Sequence, residues 1–566
     1  MADSLPRRNG GQILVEALRR NAVDTVYCIP GESYLPVLDA LHDAAGIRTV
    51  VTRHEGAASN MADAYGKLSG RPGICFVTRG PGATHAANGV HTAKQDSTPM
   101  ILFIGQVESA FKGREAFQEV DYVQMFSGLA KWVVEIDRID RIPELVARAF
   151  GVATSGRPGP VVVALPEEIL FGSAQVADAP APRLLPGQPA AAAMGELQER
   201  LDRAQRPLLV LGGSGWDETA RKRLAAFVHA NGLPVAASFR RQDLFDNRDP
   251  HYVGQLGFGA APGLLERVRQ ADLLLVLGSR LSETPSAGYS LVGCPEPAQA
   301  LVHVHADGAE LNRVYLAHLP IQATPTAFAE ALAALPPRPS PPWQAWREAA
   351  RADYLAYSTP VASDPALQGV DLAAVVAHLD ETLPDDAVIA NGAGNYAVWV
   401  HRFYRYRQAR TQLAPTNGAM GYGLPAAIAA SLREPRRDVV CFAGDGCFMM
   451  YPQELATAAQ FGATPVVIVV NNGMLGTIRM HQEREYPGRV SATTLVNPDF
   501  VALARGVRRL RRAGGTQRRL PRGIPPRPRK RAPGAARTAH RSAPGHATGT
   551  PRLNRAQAAR KAIQAW

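Results

Sequence analysis

Apolar residues fall along this chain in short, unbroken runs separated by longer stretches of helical spacing. RTVVT (48–52), GICFVT (73–78), MILFIG (100–105) and GPVVVAL (159–165) come first. PLLVLGG (207–213), LLLVLGS (273–279) and LVHVHA (301–306) follow, then AVIAN (387–391), DVVCFAG (438–444) and PVVIVVNN (465–472). A run of this length without a polar alternate reads as a strand buried on both faces. Strands that take turns with helices build parallel sheets covered by helical layers. Two Pro/Ala-rich stretches, 174–193 and 335–343, break the pattern as linkers do. The expectation is an α/β chain of three doubly wound parallel-sheet domains, over 1–175, 190–335 and 365–505, with no solenoid-type repeat.

Length and composition change this picture little. For 566 residues, 46% of them apolar, about three cores are expected. No stretch approaches the roughly 18 apolar residues of a membrane span, and the first residues lack the apolar centre of a signal peptide. The five cysteines are odd in number and include no CxxC pair, as in a reduced, cytoplasmic protein.

Charge divides the chain sharply. The net +12 suggests an anionic partner. Yet 18 Lys and Arg, with no acid, lie in 505–566, leaving 44 bases against 50 acids elsewhere. The body is mildly acidic. The segment 506–566 reads as a basic, low-complexity, disordered tail with no strand and no amphipathic helix. Its composition also fits out-of-frame translation of a GC-rich coding sequence. A solvated nucleic-acid-binding arm is the competing expectation.

Chemistry concentrates at CFAGDGCFMM (441–450). DVVCFAG, the helical PQELATAAQFG (452–462) and TPVVIVVNN (464–472) form a βαβ unit, whose crossover makes both strands parallel. Asp445 and Asn471–Asn472 thus leave the sheet at its carboxyl edge, where such proteins bind ligands. A carboxylate, an amide oxygen and a backbone carbonyl form a hard set suited to Mg²⁺ or Ca²⁺. Gly-Asp-Gly alone is equally an ordinary strand-to-loop turn.

GDG, 24 residues, then NN resembles the signature of thiamine diphosphate (ThDP) enzymes. RHEGAASNMADAYGKLSGRPGICFVTRGPGATHAANG (53–89), GREAFQEVDYVQMF (113–126), SGRPGPVVVALPEEI (155–169) and NGAMGYGLPAAIAA (417–430) extend the likeness to the acetolactate synthase branch, over about 1–504. The resemblance implies a pyrimidine-binding first domain, a central domain and a diphosphate-binding third domain. It implies Mg²⁺ on Asp445, Asn472 and the Met474 carbonyl. Gly444, Gly446, Cys447 and the loop Gly392, Gly394, Asn395, Tyr396 would face the diphosphate. Gly418 and Met420 would meet the pyrimidine.

By the same resemblance Glu55 is the carboxyl that hydrogen-bonds the aminopyrimidine, although alone it is also a plain partner for a helix dipole. Phe117, Gln118 and the loop of Gly31 and Glu32 would reach the active site from the first domain. His85 is a further candidate, with a structural reading beside it. The family's first and third domains face each other across subunits, which implies a homodimer or homotetramer. The implied activity is decarboxylation of a 2-keto acid, pyruvate as donor, with carboligation to a second 2-keto acid. A non-ligating decarboxylase and a catalytically silent protein of the same fold are the alternatives. FAD in the central domain, contacted by Arg280, is left open by generic glycine motifs. Three positions depart from the synthases: Glu32 in PGES where a second glycine is usual, Glu167 where Lys is common, and His481 in place of Trp. The likeness ends at Arg505, before the last strand and terminal cover that the family adds over its site.

Overall fold

Hydrophobic runs become strands of three all-parallel sheets, and all but the edge strand Arg48–Val51 lie inside their sheet. A computed structural model describes residues 5–361, 369–513 and 537–540. The first sheet has six strands in the order Arg48–Val51, Thr25–Cys28, Gly73–Val77, Met100–Gln106, Pro160–Pro166, Trp132–Glu135. The second runs Tyr252–Gln255, Val235–Ala237, Pro207–Leu211, Leu273–Leu277, Ala300–His305, Leu319–Gln322. The third runs Gln412–Leu413, Val388–Asn391, Val439–Gly444, Val466–Asn471, Arg537–His540. Every neighbouring pair in these sheets is parallel, as the alternation with helices requires. A short antiparallel pair, Arg8–Asn9 with Ser173–Ala174, fastens the start of the first layer to its end.

The strands absent from the sequence reading are the short ones of two to four residues, such as Thr25–Cys28 and Gln412–Leu413. They are too brief, or too mixed in polarity, to show a period. The stretch 335–343 also behaves differently from a free linker. Trp343 is fully buried and donates from Nε1 to the carbonyls of Asn231 and Gly232 at 3.1 Å. The helix Gln344–Ser358 then packs on the second sheet through Tyr354, edge-on to Tyr252.

Beyond Arg505 two features were not expected. The last helix runs from Phe500 to Ala513, with Phe500, Leu503 and Ala504 on the packed face. Arg537–His540 pairs in parallel with Val466–Asn471 at the sheet edge. The rest of 506–566 lies outside the described residues. Among the described residues no helix is long and apolar enough to cross a membrane.

First and third layers share one core. The helix Glu55–Ser69 is rich in Ala and Gly, so the helices Pro81–Asp96 and Gly423–Arg433 approach it closely. A Cβ on Gly89 would stand 2.3 Å from Ser59 Oγ. A buried polar network crosses the same contact: Lys67 pairs with Asp63 at 2.9 Å and with Asp96, while Tyr422 donates to Asp63 at 2.6 Å. Each charge there has an opposite or hydrogen-bonded partner, which is what makes its burial tolerable.

Candidate active site

The first sheet presents its loops at one carboxyl edge. Glu55 follows the strand Arg48–Val51 and opens its helix, capped by His54, whose Nδ1 accepts from Gly56 N at 3.0 Å. The Glu55 side chain is 14% exposed, and its Oε2 lies 2.9 Å from His85 Nδ1. A Cβ on Gly82 would be 3.7 Å from Oε1, so the other oxygen faces the Gly80–Gly82 turn. His85 stacks on His54 at 4.6 Å between ring centroids, and Tyr451 tilts on His54 at 5.2 Å. Burial, then the neighbouring His85, lowers the His54 pKa despite the opposing pull of Glu55.

Gly31 is placed beside the next loop: its Cα approaches Thr78 so closely that a Cβ would stand 2.4 Å from Thr78 Cβ. Arg79, on that loop, binds both Glu167 and, at 3.2 Å, Glu32. Two of the three positions that depart from the synthases therefore meet on one guanidinium. Its Nε donates to the Phe117 carbonyl at 3.3 Å. Phe117 is 74% exposed, and Gln118 adopts φ +64°. Gly80, itself at φ +59°, has no room for a side chain because its Cβ would lie 2.8 Å from Gln118 Cβ. The third departure, His481, lies on the exposed helix Gly476–Glu485 and accepts from Arg484.

At the third sheet Asp445 is buried at the end of Val439–Gly444. Its Oδ2 accepts from Gly473 N at 2.9 Å and from Asn497 Nδ2 at 2.7 Å. Asn497 also donates to Asn471 Oδ1 at 2.9 Å. Asn472 is exposed, with Oδ1 accepting from Met474 N at 3.2 Å. Asp445, Asn472 and Met474 are thus gathered on adjoining loops, and Asn497 joins them unforeseen. Its only sequence signal is the N-P dipeptide of a turn.

Glycine loops close around this carboxylate. Tyr396 OH accepts from Gly392 N at 3.1 Å and donates to Cys447 Sγ at 3.3 Å; Gly421 N donates to the same sulfur at 3.1 Å. Gly394 is at φ +144°, and a Cβ on Gly444 would be 2.9 Å from the Tyr396 ring. Asn395 is tied to Thr477 by two hydrogen bonds. Over Gly446 converge Leu475 and Leu495, with Met420 Cε 3.6 Å from where a Cβ would stand. Gly418, at φ +72°, has open space around it. The backbone N–H groups of Gly446 and Cys447 open a short helix, a setting that suits a diphosphate. Acid oxygens for a cation and glycines that leave an anion room fit a metal-bound diphosphate.

The central layer reaches in from the side. Arg240, fully buried, donates to the carbonyls of Gly392 and Pro415. Burial lowers its pKa. No local pattern singles this arginine out. Between the three layers lies a cavity of about 610 Å³ whose wall includes Gly213, Gly278, Arg280, Arg313 and Gly418. Arg280 donates to the Gln95 carbonyl at 2.7 Å, and burial, then Arg157, brings its pKa down to about 10.

Comparison with known proteins agrees with this arrangement. Residues 8–125 match the thiamine pyrophosphate enzyme N-terminal TPP binding domain, 194–332 the central domain and 392–516 the C-terminal TPP binding domain. The last match passes Arg505, where the sequence reading ended its likeness. The chain is 33% identical over 514 residues to the acetolactate synthase large subunit of Parasynechococcus marenigrum (strain WH8102), covering 88% of this chain and 82% of the relative. It is 31% identical over 507 residues to the acetolactate synthase isozyme 2 large subunit of Escherichia coli (strain K12), covering 88% and 89%. Three matched domains, one on each parallel sheet, and likeness along most of both chains lead to one conclusion: this chain belongs to the thiamine diphosphate-dependent enzymes of the acetolactate synthase-like family.

Proposed function

We propose that the chain decarboxylates a 2-keto acid, with pyruvate as donor, and joins the two-carbon unit to a second carbonyl compound, using ThDP and Mg²⁺. The observation that carries this reading is Glu55, a carboxyl 14% exposed at a sheet edge, with one oxygen engaged by His85 and the other turned to a glycine loop. Such a group holds or yields a proton according to its surroundings, as tautomer control of an aminopyrimidine needs. ThDP, when bound, supplies the carbanion that adds to the keto carbonyl and the electron sink for CO₂ loss. Asp445, Asn472 and the Met474 carbonyl would hold Mg²⁺. Backbone at Gly392, Gly394, Asn395, Tyr396, Gly444, Gly446 and Cys447 would take the diphosphate, and Gly418 with Met420 the pyrimidine. Phe117, Gln118 and Gly31 would orient substrate and exclude water.

Within one chain, Glu55 and Asp445 follow strands of two different sheets, while exposed Phe117, Met450, Ile478 and Met480 border the half-sites. This supports a homodimer or homotetramer that completes each site. Four of the five free cysteines are buried, in keeping with a cytoplasmic setting. FAD in the central cavity, which is lined by Arg241, Arg280 and Arg313 alongside Asp96, Glu283 and Glu310, is checked by flavin absorbance of the purified protein.

The test is CO₂ release from a panel of 2-keto acids with ThDP and Mg²⁺, with products separated into aldehydes and acyloins. Carboligated products support the reading, and aldehyde alone would make the protein a simple decarboxylase. Glu55→Gln is expected to keep the fold and lose at least about 100-fold in turnover. Unchanged turnover would overturn the assignment of Glu55.

A further inference from the structure

Resting on the reading of Glu55 as the carboxyl that serves the aminopyrimidine, we propose that Glu454 is its positioning residue. This carboxylate of the third layer mounts the turn Arg53–Gly56 and so sets where Glu55 stands. Glu454 is fully buried at the start of the helix Glu454–Phe461. Arg53 N donates to both of its oxygens, at 3.0 Å to Oε1 and 3.3 Å to Oε2. Thr457 Oγ1 donates to Oε2 at 2.6 Å, which holds the carboxylate in one orientation.

Other third-layer side chains close on the same turn. Tyr451 tilts on the His54 ring at 5.2 Å, and its hydroxyl lies so near Gly56 that a Cβ there would stand 2.3 Å away. Arg53 Nη2 donates to Gln460 Oε1 at 2.6 Å. The turn's own ties are local: His54 Nδ1 accepts from Gly56 N, and Thr52 Oγ1 donates to the His54 carbonyl. Residues on both sides of Glu55 are therefore fixed by the third layer, while its side chain turns to His85 and the Gly82 turn of the first.

The place of the turn in its sheet explains why an outside acceptor is needed. Arg48–Val51 is the edge strand, paired only with Thr25–Cys28. Thr52 N donates inward, to the Cys28 carbonyl at 3.0 Å. Arg53 N, one residue on, points outward, where a neighbouring strand would supply a carbonyl and Glu454 supplies a carboxylate instead. The bond therefore fixes backbone, and an acceptor at the right reach is what it requires. A proton-handling group must stand within hydrogen-bond reach of its ligand, and a shift of about 1 Å can cost about 100-fold. Glu454 thus acts through the position of Glu55.

The experiment compares Glu454→Gln with Glu454→Asp. Gln keeps the reach and one acceptor oxygen but no charge; Asp keeps the charge and draws the acceptor back by one carbon. Three quantities are read: amide hydrogen exchange over 53–56 in the apoprotein, calorimetric affinity for ThDP with Mg²⁺, and deuterium exchange at C2 of bound ThDP. Glu454→Asp is expected to speed amide exchange and to slow C2 exchange about 30-fold, with cofactor affinity within about threefold of wild type. Glu454→Gln is expected to stay within about threefold in all three. Thr457→Val, which frees the carboxylate to turn, should slow C2 exchange about fivefold. A wild-type C2 rate in Glu454→Asp or Thr457→Val, or equal slowing in Glu454→Gln and Glu454→Asp, overturns the proposal. A wild type that binds no ThDP, or a wild-type C2 rate in Glu55→Gln, overturns the reading of Glu55 beneath it, and the proposal falls with it.

Discussion

Arg240 donates to the carbonyl of Gly392 at 2.9 Å, so a side chain of the central layer holds the first glycine of the proposed diphosphate loop. The same guanidinium holds Pro415 at the head of the NGAMGYG loop. Replacing it with Met would take one donor from each carbonyl, leaving Gly392 O to Asn391 Nδ2 and Pro415 O to Gly418 N. The expected cost is about 2–3 kcal/mol of stability, read from urea unfolding. ThDP affinity is expected to fall by about tenfold, because the loop loses its tether.

Asp445 carries the only charge on the proposed cation's donor set. Asp445→Asn keeps the shape and can keep the contact with Gly473 N, but not the charge. Binding of Mg²⁺ with ThDP should weaken by about a hundredfold, equal to some 3 kcal/mol. Fluorescence or calorimetric titration measures it, and thermal unfolding of the apoprotein should move little.

Arg79 joins Glu32, Glu167 and the Phe117 carbonyl. Arg79→Lys retains a charge but not the three-way geometry. The expected effect is on substrate capture: KM raised about tenfold, with a smaller change in kcat, since orientation is lost rather than chemistry. A matching fall in kcat alone would place Arg79 in a different role.

Acid should loosen the central layer through Asp249. Burial opposes its ionisation, but hydrogen bonds from His251 and His229 outweigh that and bring its pKa from 3.8 to about 2. A depressed carboxylate pKa stabilises the fold in full above the unfolded value and loses that contribution as pH falls through the folded one. The wild type should therefore lose Tm between about pH 4 and 2 more steeply than Asp249→Asn. Thermal unfolding across that range decides it.

What the chain disclosed about itself divides by distance. Asp445 and the Asn471–Asn472 pair were legible because a single βαβ unit carries both, and a buried strand has a run of apolar residues as its signature. Glu55 was legible by its motif. Arg240, Asn497 and the meeting of Glu32 with Glu167 were not. Each joins loops from strands far apart in sequence, and no local period encodes such contacts. Trp343 was hidden by its prolines, which read as linker although the indole anchors the stretch to the central layer. Arg537–His540 sits in an arginine-rich setting whose composition conceals a strand.

The core that spans the first and third sheets has a consequence for dissection. Val77, Ala58 and Ala62 belong to the same apolar cluster as Ala427, Cys441 and Val469, whereas the central layer keeps its own clusters around Leu209 and Leu274. The two outer segments are therefore one cooperative unit interrupted by an insert. A fragment stopping near residue 175 would open the Ala-rich face of Glu55–Ser69 to water and aggregate. The middle stretch is the piece that could be expressed as an autonomous cassette.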